Sequence, residues 1–356
     1  MPVIHSSLIQ LAGAILTSSL WLNTLAAAEI RDPVKPKIGV VVALSGHLAA
    51  VGTAIKNSVT LAWEKHGGKE APELIFEDDG FLSRNTVSAV NRLLALDGMA
   101  AIITFGSGTS LSVSDIIEAR EIPHIALAIA EKVNTGKKFV VRHFVSTDAL
   151  NKKIVEEVKR REYKNIALIT TVQEAMIAQR EHFLADLNER VIINKDVLPD
   201  DTDFRSIVAR IKAEAPAAVG LFLLPPQISI FARNLRGAGF KGEIFGSLPM
   251  GVVSEIRAAG GALEGAWFVS GDDRGAKEFY REYEARFGDS GFAEIAHAFD
   301  ATKMVLEGLR SNDLNNYLHT VQGFSGILGT YGADGKNGYN VGIIVKKIRG
   351  NAALVD

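Results

Sequence analysis

Uninterrupted apolar runs alternate along this chain with stretches of helical period. Residues 38–44 read IGVVVAL without one polar side chain, the mark of a strand buried on both faces of a parallel sheet. Residues 53–65 follow with Ile55, Val59, Ala62 and Trp63 on one helical face. A short strand at 74–76 runs into Glu77, Asp78 and Asp79, and a helix at 86–96 turns Val87, Val90, Leu93 and Leu94 inward. A strand at 100–104, a helix at 113–120 and a strand at 125–128 complete this half. A strand–helix repeat of about 25–35 residues predicts a doubly wound parallel sheet.

The pattern then restarts. Helices are predicted at 149–161, 174–187, 204–213 and 228–238, and strands at 166–170, 191–197, 219–224, 243–245 and 266–270. The third helix stops before Pro216, since the residue before proline avoids the α region, and the fourth ends at Gly239. Two further helices, 277–287 and 292–309, precede a last strand at 341–348. The predicted fold class is α/β, with two Rossmann-like lobes in tandem and no Gly/Ser-rich linker between them. A length of 356 residues agrees with two domains.

Composition narrows the function. Lys plus Arg number 39 against 41 acids, a net charge of −2, so there is no basic footprint for nucleic acid. With no cysteine, thiol catalysis, disulfides, Cys-bound zinc and iron–sulfur sites are excluded. Leu8 to Leu25 is apolar or small and precedes Ala26, Ala27 and Ala28, which reads as a signal peptide over 1–28 cut after Ala28. Its n-region offers only the terminal amine and His5 as cations. Thr17, Ser18, Ser19 and Asn23 interrupt the run, which is shorter than the roughly 20 apolar residues of a membrane span. The expectation is an exported, periplasmic protein without a lipid anchor, since no cysteine follows the cut.

Enzyme chemistry has few candidates. The sequence holds no GxxxxGK[ST], HExxH or GxSxG, and no two histidines stand at metal-ligand spacing on a helix. Glu77–Asp79 reads either as a cation seat or, more simply, as solvated and capping acids. Arg142 and His143 read as a hinge or surface pair, or as an anion contact. The segment 105–110, FGSGTS, is the informative one, because glycines admit close backbone approach and free N–H groups at a helix start attract anions. Ser107, Thr109 and Ser110 add hydroxyls. A nucleotide turn needs a third glycine where Leu111 stands, which leaves a seat for a small carboxylate or a plain capped turn.

Taken in order, these pieces resemble the type I periplasmic binding proteins, in the leucine/isoleucine/valine-binding branch of ABC transporter receptors. Ile38-Gly39 through Leu44-Ser45-Gly46-His47 to Gly52 resembles the family's opening strand and loop, with His47 where proline is usual. Phe76–Asp79, Phe105–Ser110, Glu121–Ile125, Thr202-Asp203-Phe204 and Phe299-Asp300-Ala301 resemble later family segments. The resemblance implies lobes at 36–143 plus 271–326 and at 144–270 plus 327–356, joined by three hinge crossings. These fall near 141–145, 266–270 and 326–331, with Trp267 in or beside a hinge strand. It further implies a monomer without cofactor or catalysis that closes on a small solute and hands it to a permease and its ATPase. A sensory receptor of the same fold is the alternative, and an enzyme on this scaffold is a remote third.

The same resemblance assigns ligand residues and exposes departures. Ser107 takes the place of the first carboxylate-binding hydroxyl, with Gly108 and Thr109 beside it and Ser45 and His47 in the neighbouring loop. Ala128, Ile129 and Ala130 stand where a second hydroxyl is expected, and Ala175-Met176 where an aromatic-glycine pair is expected. Pro225-Pro226 replaces a polar or aromatic contact, and Ser247, Leu248 and Pro249 stand where the family has an acid for the ligand ammonium. A buried ammonium without a counter-charge is costly. Unless another acid enters the cleft, these losses favour an aromatic or aliphatic carboxylate over an α-amino acid. Val51, Ala128, Ala130, Ala175, Leu224 and Leu248 are expected around its apolar body.

Overall fold

The computed structural model describes residues 34–288, 294–350 and 352–356; the expected signal peptide and the first two residues of the helix predicted at 292–309 lie outside them. The first sheet has the order β2-β1-β3-β4-β5 and is parallel throughout. Its strands are β1 (Lys37–Val42), β2 (Glu73–Asp78), β3 (Met99–Phe105), β4 (His124–Leu127) and β5 (Val140–Arg142). Helices α1 (Ala49–His66), α2 (Ser83–Leu94) and α3 (Ser107–Glu118) connect them. The opening apolar run serves two cores at once. Ile38, Val40 and Val42 join the cluster under α1, while Val41 packs against Val90, Leu93 and Val113 on the other face. Gly52 is required here, because a Cβ on it would overlap the Ala43 carbonyl at the end of β1.

The second sheet runs β14-β13-β10-β9-β8-β6-β7. Strands β6 (Ile166–Thr171), β7 (Val191–Val197), β8 (Ala218–Phe222), β9 (Glu243–Gly246) and β10 (Trp267–Gly271) are mutually parallel. Helices α4 (Thr147–Arg160), α5 (Glu174–Leu187), α6 (Arg205–Glu214), α7 (Gln227–Gly237) and the short α8 (Val253–Ala258) cover it. The chain then returns to the first sheet as α9 (Lys277–Phe287), α10 (Glu294–Gly308), α11 (Leu314–Thr320) and the hairpin β11 (Phe324–Gly326) and β12 (Gly329–Tyr331). Phe279 and Tyr283 of α9 pack with Ala54 and Leu61 of α1 and Phe299 of α10. Finally β13 (Ile343–Arg349) and β14 (Ala352–Val355) add antiparallel strands beside β10.

The chain therefore passes between the sheets three times, at 143–146, at 272–276 and at 332–342. The first overlaps the predicted crossing; the others lie later. Strand β10 is paired on both sides, to β9 and β13, so it belongs to the sheet interior and the crossing begins only after Gly271. The β11–β12 hairpin is held by Asp300 of α10, whose carboxylate accepts the Ile327 and Leu328 N–H groups at 2.8 and 3.1 Å, and this keeps it with the first sheet. Trp267 is corrected with the second crossing. It is wholly buried at the start of β10, stacked on Phe245 at 5.1 Å, with its indole N–H donated to the Tyr163 hydroxyl at 3.0 Å.

Candidate functional site

The carboxyl ends of β1, β3 and β4 meet those of β6, β8 and β9 around a cavity of about 100 Å³. Loops at the carboxyl ends of parallel strands are where such folds place ligands. Its first wall carries Leu48, Val51, Phe81, Phe105, Ser107, Leu127, Ala128 and Glu294, and its second Gln173, Ala175, Met176, Leu224, Pro225 and Leu248. Phe144, from the first crossing, closes one side. The lining is largely apolar, so the few polar groups define what fits.

The start of α3 is the principal polar feature. Gly106 caps the helix at φ 95° and ψ 144° with no side-chain cap bond, and a Cβ there would overlap the Phe81 ring. Ser110 N–H makes the first helical bond, to Gly106 O at 3.0 Å. The amides before it stand at a positive helix end with no capping side chain. Ser107 is buried on the cavity wall. Its Oγ accepts the Ala130 N–H at 3.3 Å, which leaves the hydroxyl proton for a ligand.

Of the residues singled out from the sequence, Ser107, Val51, Ala128, Ala175, Leu224 and Leu248 are brought together on the wall. Five others are placed elsewhere. The Thr109 hydroxyl turns back to the Phe105 and Gly106 carbonyls and stays in the helix turn. The Cβ position of Gly108 faces Glu174 Cβ and Gln173 Nε2 across the cleft, at 3.9 and 4.0 Å, so it marks where the two halves meet. Ala130 lies behind Ser107 as its backbone partner. Ser45 and His47 are exposed, because the Asp78 carboxylate accepts the Leu44 and Ser45 N–H groups at 2.8 and 3.1 Å. That tether turns the loop outward and delivers Leu48 to the cavity in its place.

The acidic triplet is structural. Glu77 pairs with Arg92, Asp78 holds the β1 loop, and Asp79 accepts from Phe81 N–H at 2.8 Å and the Thr86 hydroxyl at 2.9 Å. Hydrogen bonds hold Asp78 below the ordinary range, whereas burial pushes Asp79 above it. Among the described residues no group of His, Asp and Glu is arranged to hold a metal. Arg142 and His143 are both buried at the first crossing. Arg142 donates to Phe144 O at 2.9 Å, and His143 Nε2 lies 2.8 Å from the Tyr331 hydroxyl. Burial drives His143 down to about 3, so its ring is neutral.

Glu294 is the site residue that sequence reasoning missed. It opens α10 and reaches the cavity from the first half of the molecule. Its side chain is half-buried, and loss of solvent pushes the carboxyl above the ordinary glutamate range against a hydrogen bond from its own backbone N–H. The only sequence signal is an acid between apolar neighbours, FAEIA at 292–296. Among the described lining residues it is the one ionisable group, and the lining includes no cation.

Residues 35–341 match the model of a family described as periplasmic binding protein. Over 245 residues the chain is 26% identical to BraC3, a Leu/Ile/Val-binding protein of Rhizobium johnstonii. That match covers 65% of this chain and 65% of the relative, just under two thirds of its length. The solved structure of the leucine binding protein LivK of Thermotoga maritima superposes with a TM-score of 0.84 at 21% identity, over 90% of this chain and 97% of that one. A solute binding protein of R. palustris, solved in complex with benzoate, superposes with a TM-score of 0.81 at 18% identity, over 90% and 94%. At these identities the solved structures share the fold.

Proposed function

This chain belongs to the periplasmic binding protein family, and we propose that it captures a small solute with one carboxylate and an apolar body. The family consists of binding proteins, and its name places them outside the cytoplasm. The observation that carries the ligand class is the cavity itself. One uncapped helix start with the Ser107 hydroxyl faces an apolar enclosure that includes no cation among its described residues. The carboxylate sits on the α3 amides and Ser107, and Ala128, Ala175, Met176, Leu224 and Leu248 surround the rest. Closure of the two halves about the crossings excludes water and presents the loaded form to a membrane permease and its ATPase. The benzoate complex of the R. palustris protein supports an aromatic acid within that class.

A second reading has its own support. The names of BraC3 and LivK point to branched-chain amino acids, and Glu294 supplies an acid within reach of a ligand. A thermal-shift screen of ligand-stripped protein separates the two. At about 100 times its dissociation constant a ligand adds about 2.7 kcal/mol of stability. Shifts with benzoate or short aliphatic acids and none with leucine or valine support the first reading; the reverse pattern replaces it with the second.

A further inference from the structure

The lining of the cavity sets a charge problem that the carboxylate reading must solve. A carboxylate seated at α3 brings one negative charge into a cavity of about 100 Å³ where the one ionisable group among the described lining residues is another acid. Among the described lining residues no lysine, arginine or histidine offsets either charge. Two anions side by side in one largely apolar cavity repel, the more so once closure of the halves excludes water. The system relieves this when one of them carries a proton. The acid on the protein is the better candidate, since the α3 start and Ser107 stabilise the ligand's charge, whereas among the described residues the Glu294 carboxyl is served by its own backbone N–H.

We propose that Glu294 is a specificity-determining residue that meets the ligand as a neutral carboxyl group, donating a hydrogen bond to it, so that binding takes up one proton. The proposal rests on the carboxylate reading given above. The surroundings of Glu294 support it. From α9 the neighbouring titratable group is Tyr280, whose hydroxyl donates to Asp273 at 3.4 Å, and Asp273 is itself paired with Lys346 of β13 at 2.6 Å. The Asp273 charge is thus already balanced. One turn along α10 lies His297, kept neutral by burial against His143 and Phe144. From α1 and the residue before it, β3, α3 and β4 the cavity receives Leu48, Val51, Phe105, Ser107 and Leu127, none of them charged. Burial raises the Glu294 carboxyl in the same direction. A neutral carboxyl of this kind admits a monoanion, and it gives an ammonium no full counter-charge.

The test is calorimetric titration of the full chain with benzoate, isocaproate and leucine from about pH 5.5 to about pH 8.5, where each probe keeps its carboxylate ionised. Buffers of different ionisation enthalpy report the protons exchanged. The expected result is binding of benzoate or isocaproate with uptake of one proton, weakening about tenfold per pH unit once free Glu294 ionises. Glu294→Gln keeps a neutral donor, so it is expected to retain acid binding and to lose both the pH slope and the proton uptake. Acid binding without a pH slope, or a slope that survives in Glu294→Gln, overturns the proposal while the carboxylate reading stands. Tight leucine binding that Glu294→Gln abolishes overturns it as well, because the residue is then an ionised partner for the amine. Binding of none of the three probes removes the carboxylate reading, and this inference falls with it.

Discussion

Helix α10 carries two enclosed carboxyl groups, and the protein treats them in opposite ways. Asp300 is wholly buried and surrounded by donors, the Ile327 and Leu328 N–H groups and the Tyr331 hydroxyl at 2.8, 3.1 and 2.9 Å. The Tyr331 oxygen in turn accepts from His143 Nε2 at 2.8 Å, so the chain of hydrogen bonds ends at the first crossing. Even so, burial pushes Asp300 up to about 6. Gly326 passes so close that a Cβ on it would overlap this carboxylate. Glu294, two turns earlier, faces the apolar cavity instead. A buried acid given donors is part of the scaffold. One left facing an apolar space is placed for something that arrives.

Three measurements bear on that contrast, and the largest effect belongs to the scaffold acid. Asp300→Ala leaves two backbone donors and a tyrosine hydroxyl unpaired in the interior, which costs on the order of 3 kcal/mol. Urea denaturation at pH 5 measures it. Glu294→Ala in the same assay is expected to stay within about 1 kcal/mol of the parent, because the donor its carboxyl serves among the described residues is its own N–H at the helix start. Equal losses from the two substitutions abolish the distinction.

The pH dependence of stability comes next. A folded value of about 6 for Asp300 stands above an ordinary carboxylate. The native state therefore holds this proton after the unfolded state has released it. With fewer protons on the unfolded chain, stability falls as pH rises from about 4 through 6, by roughly 3 kcal/mol from this group alone, and levels off above. Asp300→Asn removes that decline, and chemical denaturation across the window shows it. The raised Glu294 carboxyl acts in the same sense. The buried neutral His124 and His143 make the parent's own stability rise over the same window. The readout is therefore the difference between parent and Asp300→Asn, and a difference that stays flat with pH contradicts the raised state of Asp300.

Ser107→Ala sharpens the contrast from the ligand's side. Loss of one hydrogen bond to a charged group weakens binding by roughly 1–3 kcal/mol. Stability without ligand changes little, since the Ala130 N–H loses only a long 3.3 Å bond. Equilibrium titration with whichever probe binds provides the number. An unchanged affinity takes the start of α3 out of the site.

What was legible in the sequence follows how local each signal is. Buried parallel strands announce themselves, so β1, β6 and β10 stand within a residue or two of expectation. The short elements β5, α8, α11, β11, β12 and β14 carry three to seven residues each and too little period to read. Around the cavity, the positions of Ser107 and the apolar wall residues were readable because they follow strand ends. Thr109 was misplaced because a hydroxyl in a first helical turn finds a carbonyl of its own turn. Ser45 and His47 were misplaced because their direction depends on Asp78, a residue on another strand. Glu294 was invisible for the same reason in reverse, since its access to the cavity is made by the packing of α10 on α1 and β4.

The smallest expected effect concerns Trp267. Were β10 a hinge strand, closure would change the surroundings of its indole. Instead the ring is sealed between Phe245 and the Arg161 guanidinium, whose centre lies 4.9 Å from its centroid. Its N–H is spent on Tyr163, whose hydroxyl burial pushes up to about 12. The crossing itself begins after Gly271, where a Cβ would already press on His297 and Val145 at 3.2 Å. Motion between the halves thus leaves the indole where it is, in the core of the second sheet. Its emission is expected to stay constant on ligand saturation, and any ligand-linked change in the parent belongs to another tryptophan. Steady-state fluorescence of the parent and of Trp267→Phe decides this. A ligand-linked signal that vanishes in the variant shows that the core around β10 shifts with the ligand, and that the hinge reaches deeper into the second sheet than its hydrogen bonds indicate.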